Sequence, residues 1–230
     1  MKNICIIPAR GGSKRIPKKN IKNFLGKPII SYSIELALST NLFSRVIVST
    51  DSDEIAKVAV KYGAETPFLR PKELSDDYIG THEVVGHAIR WLEERGEKIE
   101  YACCIYPTAP LIEINDIING FKIIERGKWD SVIAATNYSY PVQRSFTELP
   151  DGGLKMLFAD TYKSRSQDLF KVYHDAGQFY WAKSNMWKNE PDNYNRNSTM
   201  IKIPNKRVQD IDTYQDWERA EIIYQILKKN

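Results

Sequence analysis

Residues 3–20 read NICIIPARGGSKRIPKKN, and the switch inside this stretch decides the fold. Asn3 to Ala9 is a short apolar run, the pattern of a strand buried on both faces. It gives way at Gly11-Gly12 to a loop in which Arg10, Lys14, Arg15, Lys18 and Lys19 crowd around Ser13. An open parallel sheet places its ligands beyond the carboxyl ends of its strands, where glycines let backbone N–H groups approach phosphate oxygens and flexible cations neutralise them. The stretch therefore predicts a leading strand that ends in a phosphate-binding loop. It meets neither GxGxxG nor GxxxxGK[ST], so neither a dinucleotide fingerprint nor a Walker loop is present, and a solvated basic turn is the alternative.

Outward from this loop, strand and helix signals alternate. Pro28 opens a helix with Ile30, Ile34, Ala37 and Leu38 on one face, and Arg45 to Thr50 is β-branched. Asp51 followed by Glu54 reads as the cap of a helix that buries Ile55, Val58, Ala59 and Tyr62 and stops at Gly63. Ala64 to Leu69 is a short strand broken by Pro67, which confines it to an edge. Val85, Ala88, Ile89 and Leu92 form the next helical stripe, and Tyr101 to Tyr106 the next strand. Ile114, Ile117, Ile118, Phe121 and Ile124 mark a helix closed by Gly127, before a strand over Ser131 to Thr136. Such alternation predicts an α/β fold, a mainly parallel sheet with helices on both faces.

The rhythm breaks at residues 137–172, where Tyr140-Pro141 and Pro150-Asp151-Gly152-Gly153 are turn signals between short mixed runs. This inserted, hairpin-like excursion cannot bury both its faces alone and is expected to pack on a partner subunit. Regular structure resumes with strands over Gln178 to Ala182 and Met200 to Ile203. Thr213, three residues before Asp216, caps a last helix with Trp217, Ala220, Ile223, Tyr224 and Leu227 inward. Residues 1–230 thus read as one domain with 137–172 as an insertion.

Composition narrows the function. The 230 residues carry 33 bases and 29 acids, but residues 1–34 hold eight bases and no acid, leaving 25 bases and 29 acids elsewhere. Positive charge so concentrated suits a compact polyanion such as a nucleoside triphosphate, not a nucleic-acid face. No apolar run approaches the roughly 18 to 20 residues of a membrane span or forms a signal segment, so a cytoplasmic protein is expected. Cys5, Cys103 and Cys104 sit in strand-like runs, the last two on opposite faces, and read as buried thiols rather than disulfide or metal ligands.

The second chemical feature is Asp210-Ile211-Asp212. In an extended segment residues i and i+2 point the same way, so two carboxylates converge while Ile211 turns inward. Like charges held that close want a hard cation, with Mg²⁺ the usual answer; the alternative is a solvated Asp210 and a cap-assisting Asp212. Loops holding Arg70 and Thr81, and Tyr106-Pro107-Thr108, fall at the expected ligand edge. His174-Asp175 resembles half a catalytic pair, but no GxSxG elbow accompanies it.

Taken together, IIPARGGSKRIPKKN, LRPKELSDDYIGT, YPTAPL, RSQDL, YHDAGQFYW and VQDIDT resemble the sialic-acid-type cytidylyltransferases, over nearly the whole chain. Arg15, Tyr106 and YHDAGQFYW are similar to the branch acting on pseudaminic acid. The resemblance implies a Rossmann-like domain with a small dimerisation extension, hence a homodimer, and transfer of CMP from CTP to the anomeric hydroxyl of a nine-carbon ulosonic acid. It further implies that Ala9, Arg10, Gly11, Gly12, Ser13, Lys14, Lys19, Asn20, Arg70 and Thr81 bind CTP. Asp210 and Asp212 would hold Mg²⁺ and, with Arg10, Lys14 and Lys19, carry catalysis. Tyr106, Thr108, Arg165, Gln167, His174 and Gln178 would meet the sugar. Competing readings are a legionaminic or neuraminic acid substrate, a sugar-phosphate or eight-carbon substrate, and a nucleotide-binding regulatory domain without catalysis.

Overall fold

A computed structural model describes residues 2–76, 78–189 and 195–229; Asp77 of the LRPKELSDDYIGT motif lies outside them. Strand β1 (Lys2–Pro8) leads through the cationic loop and a small antiparallel ribbon, β2 (Asn23–Phe24) with β3 (Lys27–Pro28), to helix α1 (Ile29–Ser39). Then follow β4 (Arg45–Ser49), α2 (Asp53–Lys61), α3 (Thr81–Glu93), β5 (Ile99–Ile105), α4 (Ile114–Ile124) and β6 (Ser131–Asn137). After a hairpin of β7 (Phe146–Glu148) and β8 (Leu154–Met156) come β9 (Tyr173–Lys183), α5 (Ser184–Asn189), β10 (Ser198–Lys202) and α6 (Tyr214–Lys229).

The main sheet runs β10-β6-β9-β5-β1-β4, parallel except for β9, which is antiparallel to both β5 and β6. Alternation along β1 divides the core. Cys5 and Ile7 pack with Ile30, Ile34 and Ile117 under α1 and α4, while Ile4 and Ile6 pack with Val85, Ile89 and Trp187 under α3 and α5. Cys103 and Cys104 fall in opposite layers, both buried, and burial pushes both thiols up. From β1 the chain steps outward to β4 and then returns to β5 on the other side. That reversal opens a crevice beyond the carboxyl ends of β1 and β5, so the loops starting at Ala9 and Tyr106 face one another.

Three expectations need correction. Strand β9 begins at Tyr173, not Gln178, and runs through mid-sheet against its neighbours. The cap of α2 is Ser52, whose side chain accepts from the Ile55 N–H, because Asp51 is engaged elsewhere. Leu38 and Ile114, placed on inward stripes by periodicity, are exposed. The run broken by Pro67 makes only isolated bridges at the β4 edge, Ile47 with Glu65 and Thr50 with Leu69, as Pro at an edge dictates.

Candidate active site

The two ends of the chain are joined by packing before they are joined by charge. Ile16 and Phe24 from the first loop, with Ile29 at the start of α1, are buried in one cluster with Ile211, Trp217 and Ala220. Phe24 meets Tyr32, Trp217 and Tyr224 edge-on at 5.5, 5.5 and 5.8 Å. Thr213 and Asp216 pin the entry to α6 as a capping box: the Thr213 N–H donates to Asp216 Oδ2 at 2.8 Å and Asp216 N–H to Thr213 Oγ1 at 3.2 Å. Burying Ile211 on this scaffold brings Asp212 back to the cationic loop. Lys19 Nζ donates to the Ile211 carbonyl at 2.6 Å and lies 3.4 Å from Asp212 Oδ1, and Arg15 Nη2 donates to the same oxygen at 2.7 Å.

The resulting cleft, about 290 Å³, is lined by Arg10, Ser13, Lys14, Arg15, Lys19 and Asn20 from the loop, Arg70 and Thr81 from one side, Tyr106 and Thr108 from the loop after β5, and Asp212. Five of these side chains are cations. Burial pushes the Arg70 guanidinium down from its usual value, Asp51 opposing and Arg10 adding to the shift, yet an arginine stays charged. A cleft so lined attracts a polyanion and strengthens contacts with it where water is excluded.

Not every expected residue faces it. Ala9 is fully buried in the core, and the Gly11 N–H already donates to Asp51 Oδ1 at 2.8 Å, so this amide reaches a phosphate only if Asp51 moves. Gly12 faces open space. Asn20 lines the cleft, but its amide donates to the Arg10 carbonyl at 2.9 Å, bracing the loop. Gln178 is buried with its amide N–H on the Arg207 carbonyl at 2.7 Å and lines no part of the cleft. Arg207 in turn bonds Asp116 across 91 residues, so Gln178 serves a buried polar brace. Arg165 and Gln167 are exposed on the excursion, Arg165 held by Asp168 at 2.8 Å, and neither reaches the cleft.

Asp210 and His174 face a second cavity, of about 720 Å³, with Asp175, Lys206 and Ile223. Ile211 turns inward as expected, but the carboxylates do not open on one space: Asp212 faces the cationic cleft and Asp210 the second cavity. They still sense each other. Burial pushes the Asp210 carboxyl up, the Asp212 charge adds to this, and Lys19 opposes it. His174 Nδ1 meets the Asp175 carbonyl at 2.8 Å, and its ring packs on Tyr138.

Arg15 lay in the predicted phosphate loop and Asp175 beside His174 in the stretch expected to meet the sugar, but sequence reasoning gave Asp51 and Tyr180 no place in the site. Asp51 follows β4 and reaches the Gly11 N–H from 40 residues away, and Tyr180 is a strand residue whose polar partner no spacing shows. Tyr106 meets Thr81 Oγ1 through its hydroxyl at 3.1 Å, and burial pushes its phenol up. Tyr180 donates to Asp175 Oδ2 at 2.7 Å.

Among the described residues no three His, Cys, Asp or Glu side chains gather as a closed metal cage. Asp212 offers a hard oxygen donor to the phosphate-sized cationic cleft, while Asp210, two residues away, borders the adjoining cavity. One carboxylate at the cleft suits Mg²⁺, which keeps waters and takes substrate phosphate oxygens to complete its shell.

Residues 4–225 match the family model described as cytidylyltransferase. The chain is 47% identical over 226 residues, covering 98% of it and 97% of the relative, to a pseudaminic acid cytidylyltransferase of Campylobacter jejuni subsp. jejuni serotype O:2. It is 31% identical over 230 residues to an N-acylneuraminate cytidylyltransferase of Escherichia coli O18:K1:H7, covering 100% of the chain and 53% of that protein. Its fold is similar to that of the CMP:2-keto-3-deoxy-manno-octonic acid synthetase solved in complex with CTP, with a TM-score of 0.73, 14% identity and 100% coverage of both chains.

Proposed function

The chain belongs to the cytidylyltransferase family, and on that premise we propose that it transfers CMP from CTP to the anomeric hydroxyl of pseudaminic acid, a nine-carbon ulosonic acid, releasing pyrophosphate. The observation that carries this reading is the cleft itself: five cations from the chain's first third, closed by Asp212 from its end. The choice among nine-carbon acids rests on the 47% identity to the Campylobacter enzyme.

The reaction is an in-line attack on the α-phosphorus, so most of the rate comes from positioning and charge stabilisation. Arg10, Lys14 and Lys19 would hold the β- and γ-phosphates and stabilise the leaving pyrophosphate. Arg70 and Thr81, on the side of the cleft, would hold the base and ribose, and Tyr106 and Thr108 the acid. Arg15 and Lys19 hold Asp212 at 2.7 and 3.4 Å, fixing the carboxylate before substrate arrives. Asp212, joined by Asp210 once its carboxylate swings from the second cavity to the cleft, would bind Mg²⁺, which when present supplies Lewis-acid neutralisation of phosphate oxygens.

Two copies would pair through residues 137–172, where Tyr140, Phe146, Leu154 and Tyr162 stand exposed. Arg165 and Gln167 do not reach the cleft of their own chain, so contact with the acid would come across that pairing. The buried free thiols and a nucleotide substrate suit the cytoplasm. Among the described residues no helix is long and apolar enough to cross a membrane.

The test is pyrophosphate release from CTP and Mg²⁺ with pseudaminic, legionaminic and N-acetylneuraminic acids side by side. The reading expects the first to give the highest kcat/KM. Preference for another acid overturns the substrate, and release with none overturns the function.

A further inference from the structure

Asp212, the carboxylate that faces the cationic cleft, is already answered by two of the protein's own cations. Its Oδ1 accepts from Arg15 Nη2 at 2.7 Å and lies 3.4 Å from Lys19 Nζ. The two cations are held differently. Lys19 is anchored: its side chain is 20% exposed, and its ammonium donates to the Ile211 carbonyl at 2.6 Å, a backbone contact that does not depend on the Asp212 carboxylate. Arg15 reaches Asp212 from the solvent side, its side chain 67% exposed, and borders the same cleft as Ser13 and Lys14.

This arrangement works against a divalent cation that arrives alone. Asp210 borders the second cavity, so Asp212 is the member of the pair that meets the cleft. Whichever oxygen of Asp212 a metal took, its charge would stand close to the Arg15 guanidinium, and like charges at that range repel. The guanidinium must therefore leave as the metal arrives. A triphosphate in the cleft gives it a destination, because the planar guanidinium pairs with phosphate oxygens as readily as with a carboxylate. We propose that Arg15 is a placeholder cation, which holds Asp212 in position before substrate enters and passes to the phosphates when nucleotide and metal enter together. The protein thus resists the metal alone and accepts it with the nucleotide. This rests on the function proposed above and on Asp212 as a ligand of the metal.

The exchange has a signature of opposite signs. Removing Arg15 frees Asp212 for a metal but takes a cation from the triphosphate, so one substitution helps the first ligand and harms the second. A residue that merely shaped the loop would harm both. General loss of positive charge is a separate effect, and Lys18 isolates it: this cation of the same loop bonds Glu54 Oε1 at 2.8 Å and not Asp212. The Arg15–Asp212 pair is exposed enough that breaking it costs the fold little.

The test titrates Mn²⁺, a paramagnetic ion that shares the preference of Mg²⁺ for oxygen ligands, onto nucleotide-free wild type, Arg15→Ala, Lys18→Ala and Arg15→Ala with Asp212→Asn. Binding is read as loss of the free-ion electron paramagnetic resonance signal, with thermal unfolding as a control of the fold, and KM for CTP at saturating Mg²⁺ is measured for wild type and Arg15→Ala. Arg15→Ala should bind Mn²⁺ about threefold to tenfold more tightly than wild type, and Lys18→Ala within about twofold of it. The same Arg15→Ala should raise KM for CTP about threefold or more. Adding Asp212→Asn should abolish the tightening. Unchanged or weaker Mn²⁺ binding in Arg15→Ala, equal tightening in Lys18→Ala, or an unchanged or lower KM for CTP overturns the inference and leaves the functional reading standing. Tightening that survives Asp212→Asn overturns the inference together with Asp212 as the metal ligand. If Arg15→Ala does not fold, Arg15→Met, which keeps the stem of the side chain, is judged by the same results. A wild type that releases no pyrophosphate with any acid overturns the function itself.

Discussion

Residues 10–20 and residues 137–172 both leave the sheet as long excursions, yet the first is answered within the chain and the second is not. In the first, Ile16 is buried against Ile211 and Trp217, and Arg15 and Lys19 find Asp212 nearly 200 residues on. In the second, Tyr140 is 84% and Tyr162 68% exposed, and Leu154, on a two-stranded ribbon too small to bury it, is 67% exposed. A loop whose apolar residues are covered holds its charges in fixed positions and can serve as a preorganised site. A loop whose apolar residues are bare leaves a surface open to the pairing proposed above.

Breaking the first region at its charge should give the largest effect. Asp212→Ala should lower turnover by two or more decades while CTP still binds, since the carboxylate acts on charge that develops during transfer; pyrophosphate release near the wild-type rate would remove Asp212 from the chemistry. Lys19→Ala loses a half-buried, charge-assisted contact and should cost about 1.5 to 3 kcal/mol in kcat/KM for CTP. Unchanged steady-state constants would take Lys19 out of the site.

A gentler cut tests whether packing of α6 positions the aspartates. Thr213→Ala removes the cap and should cost about 1 kcal/mol of stability, read as a shift in chemical denaturation. The Thr213 hydroxyl, helped by nearby backbone N–H groups, holds the Asp216 carboxyl below its usual range. A depressed carboxyl stabilises the fold above its unfolded pKa, and that contribution is lost as pH falls through the folded one. Asp216→Asn should therefore be less stable than wild type at neutral pH and approach it at acid pH; a difference independent of pH would contradict this. The smallest number belongs to the second region. Phe146→Asp with Leu154→Asp should halve the mass seen by light scattering at micromolar concentration, with CTP binding kept, and a wild type already monomeric would end the pairing proposal.

The same contrast explains what could be read beforehand. The strand ending in Ala9, the basic loop and the inward turn of Ile211 were legible because each is a local pattern of two to ten residues. The direction of β9 was not: a period of two is the same in either direction, and polar His174 and Asp175 hid the start of the strand. Nor was the cap of α2, because Asp51, the better capping residue by type, binds the Gly11 N–H from 40 residues away. For the same reason Asp210 and Asp212 were read as facing one space, whereas the two cavities they border are made by distant segments.

The central claim is that one triphosphate lies between the basic loop and the aspartate pair, and a crystal structure with CTP and Mg²⁺ tests it most directly. The account predicts β- and γ-phosphate oxygens within hydrogen-bonding distance of Lys14 and Lys19 and a metal ion on phosphate and Asp212, with the Asp210 carboxylate swung in from the second cavity to join it. A nucleotide seated in the cavity of His174 and Ile223, or phosphates turned away from Lys19 and Asp212, would contradict it.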